Sequence, residues 1–363
     1  MSLTSYRTVG RSGLRVSPLC LGAMTFGEDW GWGAPVDESG KMINMYIENG
    51  GNFIDTANIY TNTHSEKIIG DVVANNSSVR TQLVLATKFA NNVFPGNPNM
   101  GGTNTKAIIT NLEHSLRRLQ TDYIDLYWIH SWDWLTPMEE TMRTLDTLVK
   151  SGKVRYIGVS DTPAWKVAQA QTMAWFKDWS PFVGLQIEYS LLQRTVEDEL
   201  VPMALELGIG ITPWSPLKGG LLSGKYNRAN NGKVGGSRME TRGGDVSLNE
   251  KQLAIIDKLE DIAKTHDATP AAIALSWVMN KAGVSSTIIG VRNVQQLEAN
   301  LSASNIQISA DDIKALDDLS TPPLSFVTEY KPLVSSLQHG GIEINGIKPP
   351  PSPITANIQP GKY

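Results

Sequence analysis

Eight short apolar runs, each handed on to the next through a helix-length segment, constrain this chain more than any other feature. They fall at 19–22, 52–56, 83–88, 124–130, 154–160, 183–188, 210–214 and 286–290. Between them, segments such as 37–49, 104–119, 138–150, 163–175, 196–207 and 294–301 repeat their apolar residues with helical periodicity. Gly50-Gly51, Ser151-Gly152 and Gly208 follow helical segments, where a left-handed residue ends a helix. Eight strands alternating with helices make an α/β chain and predict a (β/α)8 TIM barrel. A doubly wound sheet shows the same alternation, but it usually carries a glycine-rich fingerprint after its first strand. Here that stretch reads Leu21-Gly22-Ala23-Met24-Thr25-Phe26-Gly27 instead.

Three segments depart from the alternation. Residues 6–18 read as an N-terminal β-hairpin that plugs the bottom of the barrel. Residues 216–248 form a long loop rich in Gly, Asn and Arg ahead of a helix at 249–266, and loops of that length are usually functional. Beyond Ser320 the chain turns proline-rich, with Pro322-Pro323, Pro349-Pro350-Pro351, Pro353 and Pro360. The expected organisation is a barrel over 1–320 and a C-terminal tail over 321–363, the tail suited to wrapping, association or disorder.

At 363 residues with a net charge of -4, the chain has room for one large core and little affinity for nucleic acid. No run approaches the ~18 apolar residues that mark a membrane span. Cys20 is the one cysteine, which suits a reducing compartment, and the N-terminus lacks a secretory pattern. The expectation is a cytoplasmic protein with no membrane or nucleic-acid partner, monomeric or homo-oligomeric.

Four chemically active side chains stand at or just after strand ends: Asp55, Tyr60, Lys88 and His130. Barrel enzymes place their reactive groups at the C-terminal ends of strands, which gives these four a shared address. A nearby Lys88 ammonium favours the Tyr60 phenolate, and Asp55 holds that ammonium in place. His130 is suited to orienting a carbonyl oxygen by hydrogen bonding. Such a set protonates an alkoxide as it forms, as carbonyl reduction by hydride requires.

The sequence over roughly residues 6–320 resembles the aldo-keto reductase family. The resemblance is carried by Gly10-Arg11-Ser12-Gly13-Leu14, the Asp55/Tyr60 segment, Thr87-Lys88, 123–130, Gly152-Lys153-Val154-Arg155, Gln186 with 188–192, Trp214-Ser215-Pro216-Leu217 and 288–292, all in the family's order. His130-Ser131-Trp132-Asp133-Trp134, with Ser160-Asp161-Thr162-Pro163-Ala164-Trp165, looks most like the aryl-alcohol dehydrogenase-like branch. The resemblance implies that Asp55, Tyr60, Lys88 and His130 are the catalytic tetrad and that NADP(H) is the cofactor. It puts Ser160, Asp161 and Gln186 at the nicotinamide carboxamide and Trp214 against the ring. Ser215, Leu217, Gly219, Leu221, Gly224 and Lys225 would follow the pyrophosphate. Gly290, Arg292, Gln296 and Asn300 would take the adenosine ribose, where Arg292 favours a 2′-phosphate. Asp161 stands where many relatives carry asparagine.

The substrate would be a small carbonyl or alcohol walled by Met24, Phe26, Trp30 and Trp32 from the first loop and by Trp132 and Trp134 after His130. That aromatic mouth suits aryl or bulky carbonyls, with sugars and polycyclic ketones as alternatives. Two other readings use the same frame: a cofactor-binding β-subunit of a channel, and an isomerase or lyase that uses Tyr60 and Lys88 without hydride transfer.

Overall fold

The computed structural model describes residues 3–74, 77–230 and 248–354. The chain divides into two compact units, Met1–Thr321 and Pro322–Tyr363. The first unit opens with a two-stranded antiparallel hairpin, β1 (Arg7–Thr8) and β2 (Arg15–Val16). Eight parallel strands follow: β3 (Leu19–Gly22), β4 (Phe53–Asp55), β5 (Val84–Phe89), β6 (Ile124–Ile129), β7 (Val154–Ser160), β8 (Phe182–Glu188), β9 (Gly210–Trp214) and β10 (Thr287–Gly290). They are ordered β10-β3-β4-β5-β6-β7-β8-β9. The ring closes just ahead of β10, where Ile211 N–H donates to the Gly283 carbonyl at 2.8 Å and Ser285 N–H donates to the Ile211 carbonyl at 2.9 Å. This is the TIM barrel expected from the alternation.

Strand side chains alternate faces, and the alternation sorts the core into two parts. Cys20, Phe53, Val84, Ala86, Leu126, Trp128 and Ile288 share one buried cluster with Val9 and Val16 of the hairpin, which is the barrel interior and its floor. Leu19, Leu21, Ile54, Leu85 and Tyr127 belong instead to the larger cluster under the helices. Trp128 fills the interior because Gly158 and Gly184 face it; a Cβ on Gly158 would lie 2.4 Å from the indole. A fully buried side chain of that size stabilises by roughly 3 kcal/mol. The hairpin docks against the N-terminal ends of β8–β10. Arg11 N–H donates to the Gly208 carbonyl at 2.8 Å, and Ser285 Oγ donates to the Thr8 carbonyl at 2.9 Å. Gly10, at φ +56°, is pressed so close to Gly208 and Gly210 that no side chain fits there.

The helices begin on the caps their sequences offer. Asn104, Thr269, Asn293 and Ser309 each accept a backbone N–H from the first turn, and Asn249 with Gln252 forms a reciprocal capping box. Two departures from the sequence expectation have local causes. The segment 196–207 breaks into a 3-10 turn, Thr195–Glu197, and a helix, Leu200–Leu207, with Pro202 in its first turn where a missing N–H is tolerated. The helix Pro270–Met279 has no polar face, since every residue from Ala271 to Met279 is buried, so it shows no amphipathic stripe.

Residues 216–230 of the long loop hold a 3-10 segment, Lys218–Ser223, and 231–247 lie outside the described residues. The second unit, read from sequence as suited to wrapping, association or disorder, contains a helix, Phe326–His339, with Pro332 inside it and Gly340 at φ +55° as its stop. Phe326 and Tyr330 stack on that helix with ring centroids 5.5 Å apart.

Candidate active site

The interior rows of the barrel continue upward into the reactive groups. Asp55 extends the row begun by Phe53, Lys88 extends Val84 and Ala86, and His130 extends Leu126 and Trp128 just past the end of β6. The period of two thus delivers an acid, an amine and an imidazole into the same mouth without any help from the loops. Ser160, Trp214 and Gly290 end the corresponding rows of β7, β9 and β10, and on β8 Gln186 stands one step below the terminal Glu188.

Tyr60 reaches the group by a different device. It opens a 3-10 turn after β4, and the next three residues, Thr61, Asn62 and Thr63, all have positive φ (45°, 54° and 79°). Left-handed threonines are strained and persist only when the surroundings hold them. Thr61 Oγ1 donates to the Phe26 carbonyl at 2.7 Å, and Trp30 Nε1 donates to Asn62 Oδ1 at 3.2 Å, so the first loop pins the turn.

Lys88 is wholly buried and lies at the centre. Its ammonium donates to Asp55 Oδ2, to the Thr56 carbonyl at 2.9 Å and to the Tyr60 hydroxyl at 3.1 Å. Gln186 Nε2 donates to the second Asp55 oxygen at 3.1 Å, so the carboxylate is held from two strands. Burial alone would lower the pKa of Lys88, but the charges of and hydrogen bonds to Asp55 and Tyr60 together more than offset it, and the lysine ends above its ordinary value. At Tyr60 the balance goes the other way. Burial raises the phenol, Lys88 lowers it, and burial prevails. The pull of Lys88 toward the phenolate is present as expected, but burial outweighs it, so Tyr60 stays a phenol with a fixed ammonium beside its oxygen. His130 meets the Tyr60 ring edge-on at 5.7 Å. Burial, and after it the nearby Lys88 charge, lowers its pKa to about 3, so the imidazole is neutral.

The groups read as cofactor contacts form a strip along β7–β10. Trp214 Nε1 donates to Asp161 Oδ1 at 3.0 Å, and Asp161 has φ 44°. Ser215 and Gly219 have positive φ, and Ser215 Oγ accepts from Gly219 N–H at 3.2 Å. Lys218 in the same turn is paired with Glu188 at 2.8 Å. Leu217 is partly buried, Leu221 is buried, Gly224 lies against Pro270, and Lys225 is exposed. At the far end Gln296 Oε1 accepts from Arg292 N–H at 3.0 Å, and Asn300 is buried one helical turn further on. Gly220 and Gly290 have no heavy atom within 4 Å of where a Cβ would stand. Amide, hydroxyl and indole groups, then an open glycine turn, then an arginine at a helix start match what a nicotinamide dinucleotide presents.

Of the residues read as pocket walls, Trp30 meets the Tyr60 ring at 6.4 Å and packs on Trp32 at 5.7 Å. Phe26 and Trp132 are buried in the main core, and Trp134 is 66% exposed.

Sequence reading missed three asparagines behind His130. Asn91 Nδ2 lies 2.8 Å from His130 Nδ1. Asn58 Nδ2 donates to the Asn91 carbonyl at 3.0 Å and to Asn111 Oδ1 at 2.9 Å. A signal was present: Asn58 stands three residues past Asp55, and Asn91 three residues past Lys88.

The aldo/keto reductase family profile matches residues 18–321. The chain belongs to the aldo/keto reductase family. Among similar proteins, this aldo/keto reductase is 39% identical over 327 residues to an uncharacterized oxidoreductase of Bacillus subtilis, covering 88% of this chain and 96% of the relative. It is 37% identical over 327 residues to norsolorinic acid reductase of Aspergillus flavus, covering 88% of this chain and 81% of that one. It is 34% identical over 322 residues to aryl-alcohol dehydrogenase [NADP(+)] of Phanerodontia chrysosporium, covering 84% and 83%. As a member of that family this reductase is an oxidoreductase, and none of its described helices is long and apolar enough to cross a membrane.

Proposed function

We propose that this oxidoreductase reduces aldehydes or ketones to alcohols with NADPH, reversibly, and that residues 1–320 carry the activity. The observation that carries the reading is the buried Lys88 ammonium 3.1 Å from a Tyr60 hydroxyl that stays protonated. A phenol beside a fixed cation is a ready proton donor for an oxyanion, because the ammonium stabilises the phenolate only once the proton has left. Tyr60 is the donor, Lys88 the stabilising charge, Asp55 the lysine's anchor and His130 the group that orients the carbonyl oxygen.

Ser160, Asp161 and Gln186 would hold the carboxamide and Trp214 the ring face. Ser215, Leu217, Gly219 and Lys225 would follow the pyrophosphate, and Gly290, Arg292, Gln296 and Asn300 the adenosine end. Bound there, the reduced nicotinamide supplies a hydride to the carbonyl carbon while the chain supplies the proton to the oxygen. A relative named aryl-alcohol dehydrogenase [NADP(+)] supports both the cofactor and an aryl substrate, and the Trp30–Trp32 pair beside Tyr60 supports a flat one. The cytoplasm is the compartment that fits this chemistry.

The test is a screen of aryl, aliphatic and sugar carbonyls, and of the matching alcohols, read by nicotinamide absorbance with NADPH and NADH. No turnover in either direction would sink the proposal. Tyr60→Phe should lower turnover by about 10²–10⁴-fold with cofactor affinity intact; a matching loss of affinity would make Tyr60 structural.

A further inference from the structure

His130 can serve a carbonyl oxygen only if the ring nitrogen facing the mouth carries a proton. A neutral imidazole has one proton to place, so something must decide which nitrogen holds it. We propose that Asn91 makes that choice: its side-chain amide donates to Nδ1, leaving the proton on Nε2, and Asn91 is the positioning residue of the site. The inference rests on the proposed role of His130 as a donor to the carbonyl.

The construction behind Asn91 is rigid. Asn111 Nδ2 donates to the Met100 and Ala107 carbonyls, at 3.1 and 2.9 Å, so its Oδ1 is turned toward Asn58. Asn58, fully buried, spends its amide hydrogens on Asn111 and on the Asn91 carbonyl. Asn58 N–H in turn donates to the Lys88 carbonyl at 3.0 Å, and His130 N–H donates to the Phe89 carbonyl at 3.2 Å. Both ends of the Asn91–His130 contact are therefore fixed to β5, the strand that carries Lys88. Two side-chain amides in series, Asn111 and Asn58, hold the Asn91 backbone in place in a region of low dielectric, and the Asn91 side chain reaches His130 from that fixed point.

The ionisable groups facing His130 are Lys88 and Tyr60. Lys88 lies above its ordinary pKa and Tyr60 also titrates high, so neither changes charge near neutrality. An amide donor suits this setting. A carboxylate at position 91 would instead accept from Nδ1, draw the proton there and point a bare Nε2 at the substrate.

The experiment is nitrogen-15 NMR of full-length protein labelled at its five histidines, with His130→Asn identifying the His130 signals. It needs no substrate, so it separates this inference from the reductase reading. The expected result is a protonated Nε2 and an unprotonated, hydrogen-bonded Nδ1 from pH 5 to 8; a proton on Nδ1 would overturn the proposal. In Asn91→Asp the proton should move to Nδ1. Turnover should then fall about 10²-fold at pH 8 and recover toward pH 5, where a doubly protonated ring again presents Nε2–H. An unmoved proton or an unchanged pH profile would refute it. Should Asn91→Asp fold poorly, Asn91→Leu removes the donor alone, and the Nδ1 resonance should shift to that of an unbonded imine nitrogen. A resonance left in place would overturn the assignment.

Discussion

Replacing Asp55 with asparagine removes a charge while keeping the shape, and the structure sets the size of the result. The Lys88 ammonium is fully buried, with Asp55 as its carboxylate and two neutral oxygens as its other acceptors. In Asp55→Asn the lysine has two courses. It can stay charged and unpaired, which costs about 3–5 kcal/mol for a broken buried pair. Or it can shed its proton, at about 1.4 kcal/mol for each pH unit below its unfolded pKa near 10.4, roughly 4.6 kcal/mol at pH 7.

The two courses converge, so the variant should lose about 3–5 kcal/mol at pH 7. They differ in pH dependence. A lysine kept neutral in the fold but protonated when unfolded makes stability rise with pH, so by pH 9 the second course costs only about 2 kcal/mol. In the parent protein the raised Lys88 contributes stability that is fully present below its unfolded pKa and is lost only as pH rises through the higher folded value. Urea unfolding of both proteins at pH 7 and pH 9 reads the gap directly. It should narrow by one to three kcal/mol, about what 1.4 kcal/mol per unit allows. A gap under about 1 kcal/mol at both pH values would mean that Asp55 does not hold a buried charge, and the tetrad argument would lose its foundation.

Three further outcomes follow from the same structure. Arg118→Leu leaves the fully buried Glu66 without its cation, bonded among the described residues to Thr87, and should cost about 3–5 kcal/mol, while a Glu66→Leu/Arg118→Leu double variant recovers most of it in thermal melts. Arg292→Ala should weaken NADP by about tenfold to a hundredfold and leave NAD unchanged in fluorescence titrations, the loss of one charge-assisted contact; equal weakening would remove Arg292 from a phosphate site. His130, with a folded pKa lowered to about 3, binds a proton more readily when unfolded, so the parent loses stability as pH falls below the unfolded value near 6.5. His130→Gln should melt with a shallower acid dependence, and an unchanged slope would show that His130 is not held neutral.

How much of this was legible in the sequence depended on whether a feature obeys a period. The eight strands were legible because a barrel strand is a bounded apolar run, and their rows told which residue reaches the mouth. Phe53 and Asp55, Val84, Ala86 and Lys88, Leu126, Trp128 and His130 alternate in step, so burial at the floor and chemistry at the mouth are one pattern. Features without a period were not legible. The helix Pro270–Met279 hides because it is buried all round, and the helix Phe326–His339 because Pro332 argues against it.

At Tyr60 the sequence showed half of the balance: Lys88 and its pull on the phenol are visible there, but the burial that outweighs it is not. Asn91 is the sharpest case. Its offset from Lys88 matches that of Asn58 from Asp55, yet only one of the two turns its side chain to the imidazole. The difference follows a backbone bend at Ala90, which sits at φ 91°, a conformation that sequence logic assigns to glycine. A site built on an alanine in that conformation is held by its hydrogen bonds rather than by its local preferences. That is why the hydrogen bonds that hold the Asn91 backbone, and not the residue spacing, set its side chain against His130.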